Sequence, residues 1–168
     1  MNASMKSAIL LTGLLFTGVL CAQNYTRDAG IRLGDYFSGT YRQFSSDDEA
    51  MEGVLFVGRH GVTISVLKEY FSPAFFRFSE NVFFEYGFGA HIGFRYLDSY
   101  KVFNRRYVLD DKRFTPLLGL DGIVGLEYRF PDLPVTISTD FRPYFEYSTI
   151  QIFSIYLKSV GISLKYRF

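Results

Sequence analysis

The chain has 168 residues, enough for one domain, and its formal net charge of +1 lacks the strongly basic stripe that nucleic-acid binding requires. Aromatic residues form 19% of it without a single Trp. The load rests on 19 Phe and 13 Tyr beside 15 Gly, a mixture that favours strands over helices.

The chain opens MNASMKSAILLTGLLFTGVLCAQ, in which a short start carrying Lys6 precedes an uncharged apolar run from Ala8 to Ala22. This layout predicts a secretory signal peptide over residues 1–22, cut after Ala22, with the mature domain spanning 23–168 from Gln23. A membrane-spanning helix is the alternative, but a run of about 15 residues falls short of the roughly 20 needed to cross a bilayer. Cys21 raises the further alternative of a lipoprotein, although the position before it holds Leu20 where lipidation signals normally carry a small residue. Cleavage after Ala22 leaves a mature chain without cysteine, which excludes disulfides and thiol chemistry. The sequons at Asn2 and Asn24 match a formal pattern only.

Beyond residue 22 no segment holds a helical spacing, whereas alternation with period two recurs throughout. The first four predicted strands are 29–35, 39–44, 51–58 and 61–71, separated by turns at YFS, SSDDEA and RHG. After a longer connection, SPAFFRFSEN, the fifth strand at 82–96 sets Phe84, Tyr86, Phe88, Ala90, Ile92, Phe94 and Tyr96 against Glu85, Gly87, Gly89, His91, Gly93 and Arg95. The segment 97–116 is read as the longest loop, rich in Lys and Arg. The sixth strand at 118–130 places Leu118, Leu120, Val124, Leu126 and Tyr128 opposite Asp121, Glu127 and Arg129. Past the turn PDLP, the seventh at 135–147 opposes Val135, Ile137, Phe141 and Phe145 to Asp140, Arg142 and Glu146, and the eighth occupies 155–168.

The alternation alone does not say which face is the core. A soluble sandwich buries its apolar faces, and a membrane barrel turns them outward to lipid. An export signal, aromatic-rich strand ends and strand lengths at or above the roughly 9–11 residues of a tilted spanning strand favour the barrel. An even, closed set also meets the demand that no sheet edge be left unpaired in hydrocarbon. The expected fold is all-β, an eight-stranded antiparallel transmembrane β-barrel following an N-terminal signal peptide.

The closing segment SVGISLKYRF sharpens this. Ser159, Gly161, Leu164 and Tyr166 match the polar, Gly, hydrophobic and aromatic spacing that outer-membrane barrels present to the barrel-assembly machinery, and Phe168 supplies the terminal aromatic. Over the mature chain the sequence resembles the small eight-stranded outer-membrane barrels of Gram-negative bacteria, similar to the transmembrane domains of outer-membrane proteins A and X. The resemblance implies Gly161, Leu164, Tyr166 and Phe168 as an assembly signal. It also implies passage through the secretion translocon, contact with outer-membrane lipid and lipopolysaccharide, and both termini in the periplasm. It leaves activity open, because that superfamily includes structural proteins, adhesins and enzymes.

The inward faces gather a balanced set of charges: Arg32, Arg42, Arg95, Arg129, Arg142, Lys165 and Arg167 against Glu52, Glu85, Asp121, Glu127, Asp140 and Glu146, with His91 among them. In a barrel of eight strands such charges fill the lumen as a network and leave no wide channel. His60, in the RHG turn, and His91 lack the His-x-Ser-Asn arrangement of lipid A deacylases. The glycine strings GFGAHIG and GLDGIVG sit inside alternating strands and open no helix, so they are not phosphate loops. The expected role is structural or surface-interacting, without catalysis, cofactor, metal or nucleic acid, and with an undefined extracellular ligand. The alternatives are a lipid A or phospholipid-modifying barrel enzyme, and a small porin or carrier of hydrophobic molecules.

Overall fold

A computed structural model describes residues 26–58, 61–74, 79–102, 105–149, 153–157 and 159–168, with side chains described outside 97–113. The predicted signal peptide, His60 and residues 150–152 therefore lie outside the described residues. Ten strands follow in chain order: β1 (Arg27–Leu33), β2 (Phe37–Phe44), β3 (Glu49–Gly58), β4 (Gly61–Pro73), β5 (Val82–Val102), β6 (Arg105–Arg129), β7 (Val135–Phe141), β8 (Tyr144–Ser148), β9 (Ser154–Tyr156) and β10 (Val160–Arg167).

All pairings are antiparallel and join into a ring. From β1 the ring runs through β2, β3, β4, β5 and β6, then along β7 with β8 above it, and returns through β10, whose Leu164 pairs with Ile31. Strands β7 and β8 are two halves of one stave, and β9 and β10 of another. The ten segments thus make a closed, eight-stranded antiparallel barrel, as the alternation predicts.

Two expectations need correction. The segment 97–116 is not a loop: β5 and β6 continue their ladder through it, to Val102 opposite Arg105. Charges that interrupt the alternation hid a hairpin whose Tyr100, Val102, Tyr107 and Val108 are good strand formers. The ladder absorbs the mismatch in an irregularity between Leu97 and Ser99.

The seventh and eighth staves, read as continuous, are both interrupted. Pro143 carries no N–H, so the stave breaks at Arg142–Pro143, although Gly122 N still donates to Pro143 O at 2.8 Å. On the neighbouring stave Tyr144 pairs with Tyr156 while Phe141 pairs with Val160, so β9 and β10 are joined through one extra residue. That is a β-bulge, and the extra residue flips the parity of the stave: Ile155 and Leu157 stand outward on odd positions, Val160 and Ile162 on even ones.

The polarity of the barrel is inverted relative to a water-soluble protein. Fully buried side chains include Arg42, Lys165, Glu52, Glu69, Glu85 and Glu127, whereas Phe88, Ile92, Leu120 and Ile162 stand on the outside, each at least 60% exposed. The buried apolar cluster is small, consisting of Val54, Leu67 and Ile123. A sheet folded by hiding its apolar face from water would show the reverse.

Candidate functional site in the barrel lumen

The lumen is filled in layers, each built by strand parity. Toward the end that carries the β2–β3 turn, Arg42 on β2 is surrounded by carboxylates from four other strands. Its Nε and Nη2 donate to Asp28 Oδ2 at 2.9 and 2.6 Å, Nη2 also bonds Glu127 Oε2, and Nη1 reaches Glu69 Oε2 at 3.4 Å and Glu85 Oε1 at 3.5 Å. The guanidinium is also held between rings, 4.9 Å from the centroid of Phe44 and 4.8 Å from that of Phe71. Arg129 donates to Glu127 Oε1 at 2.8 Å and lies 4.0 Å from the Phe83 centroid.

Beside this knot a second chain of charges crosses the barrel. Lys165 Nζ is 2.6 Å from Glu52 Oε1, Arg142 Nη2 donates to Glu52 Oε2 at 2.8 Å, and Arg142 Nε donates to Asp140 at 3.0 Å. Asp140 in turn takes Arg32 Nε and Nη2 at 2.9 and 2.7 Å on the same oxygen. Charges this deep are tolerable only when paired, since an unpaired one would carry its full desolvation cost.

Nearer the opposite end, His91 Nδ1 lies 2.7 Å from Asp121 Oδ1, His91 Nε2 is 3.9 Å from Glu146 Oε2, and Arg95 meets Glu146 at 3.1 Å. Tyr144 closes on His91 edge to face, with centroids 5.6 Å apart. Ser65 stands opposite His91 in the β4–β5 ladder. These groups line a cavity of about 110 Å³ at this end of the barrel, walled by Tyr36, Phe56 and Tyr144 and floored by Val54 and Leu67.

Of the residues singled out from the sequence, Arg32, Arg42, Glu52, Glu85, Glu127, Arg129, Asp140, Arg142 and Lys165 meet in the two deep clusters, and His91, Arg95, Asp121 and Glu146 meet around the cavity. Arg167 instead donates to the carbonyls of Phe130 and Leu133, at the PDLP turn. The reading missed Asp28 and Glu69, both without exposed surface, and the inward rings of Phe44, Phe71 and Phe83. Parity held the signal for Glu69 and Phe71, which share a face with Leu67. Leu164, Tyr166 and Phe168 stand outward and exposed, and Gly161 lies inside against the guanidinium of Arg32.

No family model matches the chain, and no curated protein matches it in sequence. Among solved structures it is similar to the crystal structure of the N-terminal β-barrel domain of OprF from Pseudomonas aeruginosa. The TM-score is 0.53 at 13% sequence identity, over 84% of this chain and 95% of that one. The two share a barrel fold.

Proposed function

We propose that this chain is an integral outer-membrane β-barrel with a structural or surface-interaction role, exported by a signal peptide over residues 1–22 and carrying both termini on the periplasmic side. The observation that carries the reading is the inverted polarity of a closed sheet. A ring with no open edge, apolar outside and ionic inside, is what hydrocarbon demands of a β-structure. The likeness to the OprF barrel supports the fold side of this reading, and the resemblance to the outer-membrane protein A and X domains supports the location.

In this reading the hairpin at the end of β5 and β6 extends outside the cell, where lipopolysaccharide is the first neighbour of its basic residues. The charge network then serves as a structural plug. Assembly would pass through the secretion translocon and the barrel-assembly machinery, with Gly161, Leu164, Tyr166 and Phe168 as the recognised segment. The test is fractionation of cells expressing the chain, combined with heat-modifiable migration on a gel. The reading expects recovery with the outer membrane and a faster-migrating unheated form. Recovery as a soluble protein without that shift contradicts it.

A further inference from the structure

The upper cavity is lined by polar groups that the barrel itself leaves unused. Ser38 on β2 and Thr63 and Ser65 on β4 face it, and among the described residues no group hydrogen-bonds their hydroxyls. Ser38 is only 6% exposed, so its hydroxyl opens on the cavity and not on bulk solvent. Asp121 Oδ2 is buried in the same lining without a hydrogen-bond partner, and a carboxylate oxygen accepts. Groups of this kind call for partners from outside the chain.

The walls and the charges narrow what such a partner can be. Aromatic rings stand on different staves, Tyr36 against Phe56 at 4.5 Å between centroids and Tyr144 stacked on Tyr156 at 4.6 Å, and rings offer apolar faces to a flat ligand. Each guanidinium of the lining is already matched, Arg32 by Asp140, Arg142 by Glu52 and Asp140, and Arg95 by Glu146. Among the described residues no guanidinium is left to hold an acid, and three of them so close repel a base. A volume of about 110 Å³ has room for roughly seven to eleven waters, at about 10–15 Å³ apiece, which suits one hydroxylated ring and no long chain. The cavity is open rather than enclosed and reaches the β1–β2 turn, where Tyr36 is 57% exposed, so entry is from this end of the barrel.

We propose that the upper cavity holds one neutral sugar ring, its hydroxyls bonded by Ser38, Thr63, Ser65 and Asp121 and its apolar face against Tyr144. A sugar hydroxyl both donates and accepts, so it satisfies the serine and threonine hydroxyls and the carboxylate oxygen alike. It also brings no net charge for the balanced lining to offset. The proposal names a ligand class for the surface-interaction reading above and rests on that reading, which turns this end of the barrel outward. Lipopolysaccharide of the same membrane and glycans of another cell both carry such rings.

The experiment places the protein in phosphatidylcholine nanodiscs and titrates N-acetylglucosamine, methyl glucoside and methyl galactoside by saturation-transfer NMR, beside cationic glucosamine and anionic glucuronate. Saturable binding of at least one neutral sugar is expected, with both charged sugars weaker. Ser65→Phe, which fills the cavity, should abolish it, and Ser38→Ala paired with Thr63→Val, which removes two hydroxyls, should weaken it about threefold or more. Should Ser65→Phe fail to fold, the paired variant decides. Folded, inserted protein that binds no neutral sugar, that prefers glucosamine or glucuronate, or that binds equally well in the deciding variant overturns the proposal. Lipopolysaccharide added to the discs separates the sources: competition with the free sugar assigns the site to the protein's own membrane, undisturbed binding assigns it to outside glycans, and either upholds it. Failure to insert at all, read from heat-modifiable migration, contradicts the membrane reading instead.

Discussion

Lys165 Nζ lies 2.6 Å from Glu52 Oε1 with both side chains shut away from solvent, and Glu52 gives its second oxygen to Arg142. One carboxylate thus joins β3 to two other staves, and its value lies in specifying how they meet. Replacing Lys165 by Met should cost about 3–5 kcal/mol, because Glu52 keeps a buried charge with half its compensation gone. Pairing that change with Glu52→Leu should recover a large part of the loss, whereas strictly additive losses in denaturant unfolding from micelles would show that the two groups are not coupled.

The packing of the upper lumen gives a sharper contrast between two glycines. A Cβ at Gly119 would run into the Phe145 carbonyl and the His91 ring, while one at Gly39, on the outside, meets nothing within 4 Å. Gly119→Ala should therefore destabilise by about 1–3 kcal/mol through overpacking. Gly39→Ala should be neutral or stabilise by up to about 1 kcal/mol through the unfolded chain. Equal effects in the same unfolding assay would refute this account of the lumen.

Leu120 is 64% exposed and would be an inconspicuous site on a soluble protein. On a lipid-facing wall, Leu120→Arg should cost about 2–4 kcal/mol near the bilayer midplane. The same change at Leu133, exposed in the turn after β6, should cost little. Vesicle refolding titrations of the two variants separate the cases, and a harmless Leu120→Arg would place that face in water.

The stacked layers also bear on conduction. With the Arg42 knot below the Val54, Leu67 and Ile123 cluster, no wide aqueous path runs along the described lumen. Planar bilayers should show no large steady current, and a steady high-conductance state would mean that the plug is absent in the membrane.

Much of this arrangement is legible in the sequence, for a physical reason. A wall between two different environments must alternate at every residue, so Phe84, Tyr86 and Phe88 declare one face and Glu85 and His91 the other without knowledge of the partner strands. Parity says nothing about height along the barrel. That Glu85 meets Arg42 while His91 meets Asp121 depends on strand register, which only the closed ring fixes. Asp28 escaped because it stands at the start of its strand, and Glu69 because it adjoins Lys68 in a charged stretch, although its parity with Leu67 and Phe71 places it inward. The break at Pro143 escaped because the alternation resumes in register beyond it, whereas the bulge before Val160 is written in the sequence as a switch of the apolar positions from odd, Ile155 and Leu157, to even, Val160 and Ile162.

The absence of Trp from the chain makes the central claim directly measurable. A single Trp introduced at Leu120, on the outer face, or at Ser65, which lines the cavity, reports its surroundings by quenching from brominated phosphatidylcholine in reconstituted vesicles. The account predicts strong quenching of Leu120→Trp and weak quenching of Ser65→Trp. Quenching of Ser65→Trp with Leu120→Trp left bright, or no quenching of either in a folded protein, would contradict an apolar exterior in lipid around an ionic interior.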